Sequence, residues 1–120
     1  MVNRRRKDPL HQWLASKPEI AFQRELLDTA GYLGWMRFHD HDARRDNESA
    51  GVDRGFPDSV LVHPDQGRLL FAELKTERGR LSKDQERWLE ALRRVRSIEV
   101  YSWKPRDWDR VLRVLQGQEV

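Results

Sequence analysis

Apolar residues first recur at helical spacing at Phe22, Leu26, Leu27, Ala30 and Leu33, and Gly34 stops the run. Ser16-Lys17-Pro18-Glu19 precedes them with the serine and glutamate of a capping box, so the pattern predicts a helix from Ser16 to Gly34. Trp35 to His39 is short and aromatic, as a strand is. Residues 40–54 carry almost no apolar side chains, a loop of the length that compact domains keep for function or motion. The runs 58–63 and 68–75 are rich in Val, Leu and Phe around Pro64-Asp65-Gln66-Gly67, which predicts a β-hairpin buried on both faces. Ser82-Lys83-Asp84-Gln85 opens a second capping box, and Trp88, Leu89, Leu92 and Val95 continue it as a helix. Ile98 to Trp103 reads as a strand. Pro105 at a first turn, then Trp108, Val111, Leu112 and Leu115 before Gly117, predict a closing helix. The order α-β-β-β-α-β-α predicts an α/β domain: a mixed central sheet flanked by helices.

With 120 residues the chain fits one domain, divided into a basic N-terminal arm at 1–15 and a folded unit at 16–117. An apolar share of 38% with five Trp supplies one core, and a charged share of 36% supplies the surface above it. The absence of cysteine removes disulfides, zinc-thiolate sites and thiol nucleophiles together. No apolar run approaches the ~18 residues of a membrane span. The basic start MVNRRRKDP has no apolar stretch behind it and so is not a secretory signal. The expectation is a soluble cytoplasmic protein without a membrane partner.

A net charge of +3 is too mild to name a partner, but its distribution says more. Arg4, Arg5, Arg6 and Lys7 form the arm, Arg44, Arg45 and Arg54 stud the polar segment, and Arg78, Arg80 and Lys83 follow an acidic stretch. Basic clusters beside carboxylates suit a phosphate ligand that also needs a cation.

The carboxylates emerge from the hairpin register. With Asp65 and Gln66 at the tip, Pro64 faces Gly67, Val62 faces Leu69, Val60 faces Phe71 and Asp58 faces Glu73. Directly opposed side chains have Cβ atoms ~4.5–5.5 Å apart, where like charges repel, so an ordinary hairpin gains nothing from this pair. Lys75 falls on the same face one pleat further along. Two acids held so close either share a proton or bind a hard cation, and oxygen-only ligands favour magnesium or manganese. Glu19 and Gln85 each begin a helix on its apolar stripe, where a polar group needs a partner. Each also occupies the third position of a capping box, so a structural and a functional reading stand open for both. His39-x-His41 puts two imidazoles on one strand face but has no third ligand. Trp13, Trp35, Trp88, Trp103 and Trp108 are spread over apolar stripes, as core residues are.

Gly55-Phe56-Pro57-Asp58, then Glu73-Leu74-Lys75-Thr76 running on through Glu77-Arg78-Gly79-Arg80-Leu81-Ser82, then Gln85 and Trp88-Leu89, resemble the VRR-NUC branch of the PD-(D/E)XK nucleases. The likeness covers about residues 16–115 and implies a restriction-endonuclease-like αβββαβ core. It implies that Glu19, Asp58, Glu73 and the carbonyl of Leu74 hold Mg2+ or Mn2+, that Lys75 positions or polarises the attacking water, and that Gln85 completes the catalytic set of Glu19, Asp58, Glu73 and Lys75. It further implies hydrolysis of DNA phosphodiesters to leave a 5′-phosphate, junction- or flap-like substrates in replication, repair or recombination, and a homodimer for paired cuts. Arg44, Arg45, Arg54, Arg78, Arg80 and Lys83 are then the DNA-contacting residues. Two features depart from the family, Ser59 in place of an aliphatic residue and the insert at 40–54, and neither is expected to touch a ligand. The alternatives are a catalytically silent DNA-binding module of the same fold and a small interaction protein.

Overall fold

The computed structural model describes residues 19–40 and 52–118. The elements come in the predicted order: α1 (Glu19–Tyr32), β1 (Met36–His39), β2 (Ser59–His63), β3 (Arg68–Leu74), α2 (Lys83–Arg93), β4 (Glu99–Trp103), a 3-10 turn (Pro105–Asp107) and α3 (Trp108–Leu115). The basic arm, the Ser16 cap, Trp13, His41, Arg44 and Arg45 lie outside the described residues.

The four strands form one mixed sheet in the order β1-β2-β3-β4. The first two pairings are antiparallel and β4 joins β3 in parallel, with α2 as the crossover a parallel pair requires. The hairpin register sets Val60 against Phe71, Val62 against Leu69 and His63 against Arg68. That is the register read from the sequence. Between β3 and β4, Leu74 pairs with Trp103, so the two strands end together.

Alternation decides which side chains reach the core. Leu61, Leu70, Ala72, Leu74 and Trp103 point to one face, where Phe22, Leu26 and Ala30 of α1 and Trp108, Val111, Val114 and Leu115 of α3 close over them. Trp35 joins this cluster and donates its indole N–H to the Leu115 carbonyl at 3.0 Å, tying the start of the sheet to the end of the chain's last helix. Leu89 of α2 is buried outside that cluster. On the other face of the sheet Phe56 sets its ring edge-on to both Phe71 and Trp88, with centroids 5.9 and 4.9 Å away.

The second face corrects one expectation. The hairpin is not buried on both sides: Val62 is 38% exposed, and its neighbours on the same face of β1, Met36 and Phe38, are 64% and 60% exposed. Among the described residues α2 packs on β4 at that face, with Phe56 between its Trp88 and Phe71 of β3. The closing helix also begins later than predicted. The Lys104 N–H donates to Asp107 Oδ2 at 2.9 Å, and this contact tightens the first turn at Pro105 into a 3-10 turn before α3 proper.

Candidate active site

Asp58 ends the loop that enters β2, and Glu73 stands one residue before the end of β3. The predicted opposition is real: the Asp58 N–H donates to Glu73 Oε1 at 3.3 Å. The Asp58 carbonyl is fixed from the other side, accepting the Asp40 N–H at 3.1 Å and His39 Nδ1 at 2.8 Å. His39 therefore holds the acid's backbone, and its predicted chelating partner His41 is not among the described residues.

Every carboxylate oxygen of the pair has a donor. Asp58 Oδ2 accepts from Gln23 Nε2 at 3.1 Å and Oδ1 from Ser59 Oγ at 3.2 Å. Glu73 Oε2 accepts from Gln85 Nε2 at 3.0 Å, and the Lys75 ammonium lies 3.7 Å from the same oxygen. Gln23 Nε2 also reaches Glu19 Oε2 at 3.4 Å, so the amide joins the helix glutamate to the hairpin aspartate. Glu19, Asp58 and Glu73 bring three negative charges against the one of Lys75.

Gln85 both caps its helix and reaches Glu73. Its backbone N–H donates to Ser82 Oγ at 3.1 Å and its Oε1 accepts the Ser82 N–H at 2.8 Å, a complete capping box. The remaining amide nitrogen is then aimed at Glu73. Gly55 permits the approach: its φ is +95°, and a Cβ there would meet the Asp84 carbonyl carbon at 2.5 Å and the Gln85 nitrogen at 2.7 Å. Only glycine lets the loop carrying Asp58 lie backbone to backbone on the start of α2.

Burial and crowding raise both acids. Glu73, 3% exposed, is pushed up to about 8, first by desolvation and then by the Asp58 charge, with Lys75 opposing. Asp58 is pushed up to about 7, first by desolvation and then by Glu19, while hydrogen bonds from Ser59 and from the backbone of Leu74 pull it down. Leu74 therefore turns its backbone N–H to Asp58, and Glu19 is felt by both acids. Ser59 and Asp40, the first residue of the 40–54 segment, correct the sequence reading, because each does touch a predicted ligand, Asp58. Gln23 is the residue that reading left out of the site, and its signal was its place one helical turn after Glu19 on the same face.

Among the described residues no three His, Cys, Asp or Glu side chains gather closely enough to form a metal site by themselves. The oxygen donors at hand are the two carboxylates, which fits a hard cation that keeps most of its waters. Of the predicted DNA-contacting residues, Arg54, Arg78, Arg80 and Lys83 are exposed. Arg78 and Arg80 lie on the loop that leaves Lys75, and Lys83 opens α2 two residues before Gln85.

The four-stranded mixed sheet flanked by helices that carries these residues is that of a restriction-endonuclease-like core. The chain belongs to the VRR-NUC domain family, a family of nuclease-like domains whose model matches residues 4–102. No curated protein and no solved structure matches it. No helix among the described residues is long and apolar enough to cross a membrane.

Proposed function

We propose that this protein is a Mg2+- or Mn2+-dependent deoxyribonuclease of the cytoplasm that hydrolyses DNA phosphodiester bonds, selecting junction or flap structures in replication, repair or recombination. One observation carries the reading. A buried carboxylate, Glu73, and a half-buried one, Asp58, are set against each other with a single ammonium beside them. Left without a further cation, such a pair costs stability and returns nothing to the fold.

Asp58, Glu73 and the Leu74 carbonyl are the proposed ligands, with Glu19 adding charge from behind Gln23. A divalent ion bound there lowers the pKa of its water and stabilises charge developing on the phosphate. The chain's own groups do the positioning. Gln85 fixes Glu73 and Gln23 fixes Asp58, each through its amide N–H. Lys75 stands where its ammonium can orient a water or a phosphate oxygen, and Arg78, Arg80 and Lys83 are placed to meet the flanking phosphates. Paired cuts would use a homodimer. A silent binding module of the same fold is disfavoured, since phosphate binding alone is weakened by buried acids.

A cleavage panel of duplex, flap, four-way-junction and single-stranded DNA, run with magnesium, manganese or chelator, tests the proposal. Cleavage of a branched substrate that chelator abolishes is expected. Binding without cleavage under every metal would select the silent module.

A further inference from the structure

Besides Lys75, four cationic side chains lie on the segments that follow β3 and β4, and they divide into two kinds. Arg106 Nε donates to Glu77 Oε1 at 2.8 Å and its Nη2 reaches the Glu77 carbonyl at 3.4 Å, while Lys104 Nζ donates to that same carbonyl at 3.1 Å. Glu77 is thus gripped by side chain and backbone from the segment that follows β4. Arg78 and Arg80, on either side of Gly79, are exposed and form no ion pair among the described residues.

The gripped residue lies in a tight turn. The Gly79 N–H donates to the Thr76 carbonyl at 3.0 Å, and a Cβ at Gly79 would meet Thr76 Oγ1 at 3.0 Å and Lys75 Cβ at 3.4 Å. The Lys75 N–H donates to the Trp103 carbonyl at 2.9 Å, so one strand end anchors the start of the turn and its continuation anchors the middle. The Arg106 side chain is 59% exposed, and an ion pair that wet contributes little to folding. Its geometry instead fixes where the turn points.

We infer that Arg106, assisted by Lys104, is a positioning residue: it acts through Glu77 to hold the 76–80 turn so that Arg78 and Arg80 meet the phosphates flanking the scissile bond. This rests on the nuclease reading above. Electrostatics supplies a sharp discriminator, because Glu77→Met removes a negative charge beside the DNA path. Charge alone makes that variant bind DNA more tightly, whereas loss of the brace makes it bind more weakly.

The test measures cleavage by the full chain, and DNA affinity against salt in a Glu73→Gln background, for Arg106→Ala, Glu77→Met, the Arg78→Ala/Arg80→Ala pair and the triple variant lacking all three arginines. Arg106→Ala and Glu77→Met should each raise KM about tenfold with kcat nearly unchanged, the size of a coupling between contacting residues. Each should also flatten the salt dependence by about one contact's worth. In the background lacking Arg78 and Arg80, Arg106→Ala should do nothing more. An equal further loss there would make Arg106 a direct DNA contact and overturn the inference, as would tighter binding by Glu77→Met. A wild-type chain that neither binds nor cleaves DNA would overturn the nuclease reading, and this inference with it.

Discussion

The two ends of one hairpin treat buried charge in opposite ways. At the turn end Arg68 grips Glu99 with two hydrogen bonds of 2.7 and 2.6 Å, Tyr101 donates its hydroxyl to Glu99 at 3.0 Å, and the guanidinium lies 4.9 Å over the Trp35 ring. Both His63 ring nitrogens are used there, one donating to the Leu33 carbonyl at 3.0 Å and one accepting the Gln66 N–H at 3.2 Å. The Arg68 hydrogen bond holds Glu99 below the usual carboxylate range, and burial with the Glu99 contact pushes Tyr101 up to about 12. At the other end Asp58 is half-buried and Glu73 buried with one ammonium beside Glu73, and both rise far above that range. Where the fold needs stability, acid and base are matched. Where it leaves acids in excess, the polar donors around them hold geometry without supplying the missing positive charge.

The widest separation between the ends should come from removing an acid. Asp58→Asn or Glu73→Gln should lower cleavage by about three orders of magnitude or more while the metal-free protein keeps its stability or gains some. Glu99→Gln should do the reverse, costing about 1–3 kcal/mol because Arg68 loses its charged partner, with kcat unmoved. Denaturant melts and single-turnover cleavage on the same preparations check both halves. Next in size is Lys75→Met, for which roughly 10²- to 10⁴-fold slower cleavage is expected with metal-induced stabilisation retained. A parallel loss of metal affinity would make Lys75 part of the ion's site rather than of the reaction.

Smaller effects belong to the groups behind the pair. Glu19→Gln and Gln23→Leu should weaken metal binding by roughly 10- to 100-fold, as outer partners of ligating carboxylates do, and leave folding intact. Unchanged affinity in both would confine that end of α1 to packing. The metal-free protein should also lose stability as pH rises. Both acids have folded pKa values above the unfolded values near ~4, so their contribution is full below about pH 4 and falls until the pH has passed about 7 for Asp58 and about 8 for Glu73. Urea melts from pH 5 to 9 without metal should slope downward in wild type and much less in Asp58→Asn.

How much of this was legible depended on the range of the interaction. The hairpin register could be read because two alternating strands and a short turn admit one pairing that keeps Leu61 and Leu70 inward. That register delivered Asp58 opposite Glu73. The half-open second face could not be read, since Met36 and Val62 look the same in sequence whether or not a helix lies above them. Ser59 was misjudged because strand alternation sends its side chain inward. Asp58 precedes the strand, and there the hydroxyl reaches back to its carboxylate. Gln85's second bond depends on the contact of Gly55 with Asp84, and the brace at Glu77 depends on β4 ending level with β3. Both are tertiary distances that no local pattern encodes.

The central claim is that the opposed acids are a cation site, and a thermal melt with added manganese tests it most directly. Wild type and Asp58→Asn are melted at pH 6 and pH 8.5, with and without Mn2+. Protons and metal compete for the same oxygens, so the wild-type midpoint should rise with Mn2+, more at pH 8.5 than at pH 6, and the variant should barely respond. Equal rises in the two proteins, or a larger rise at pH 6, would contradict the account.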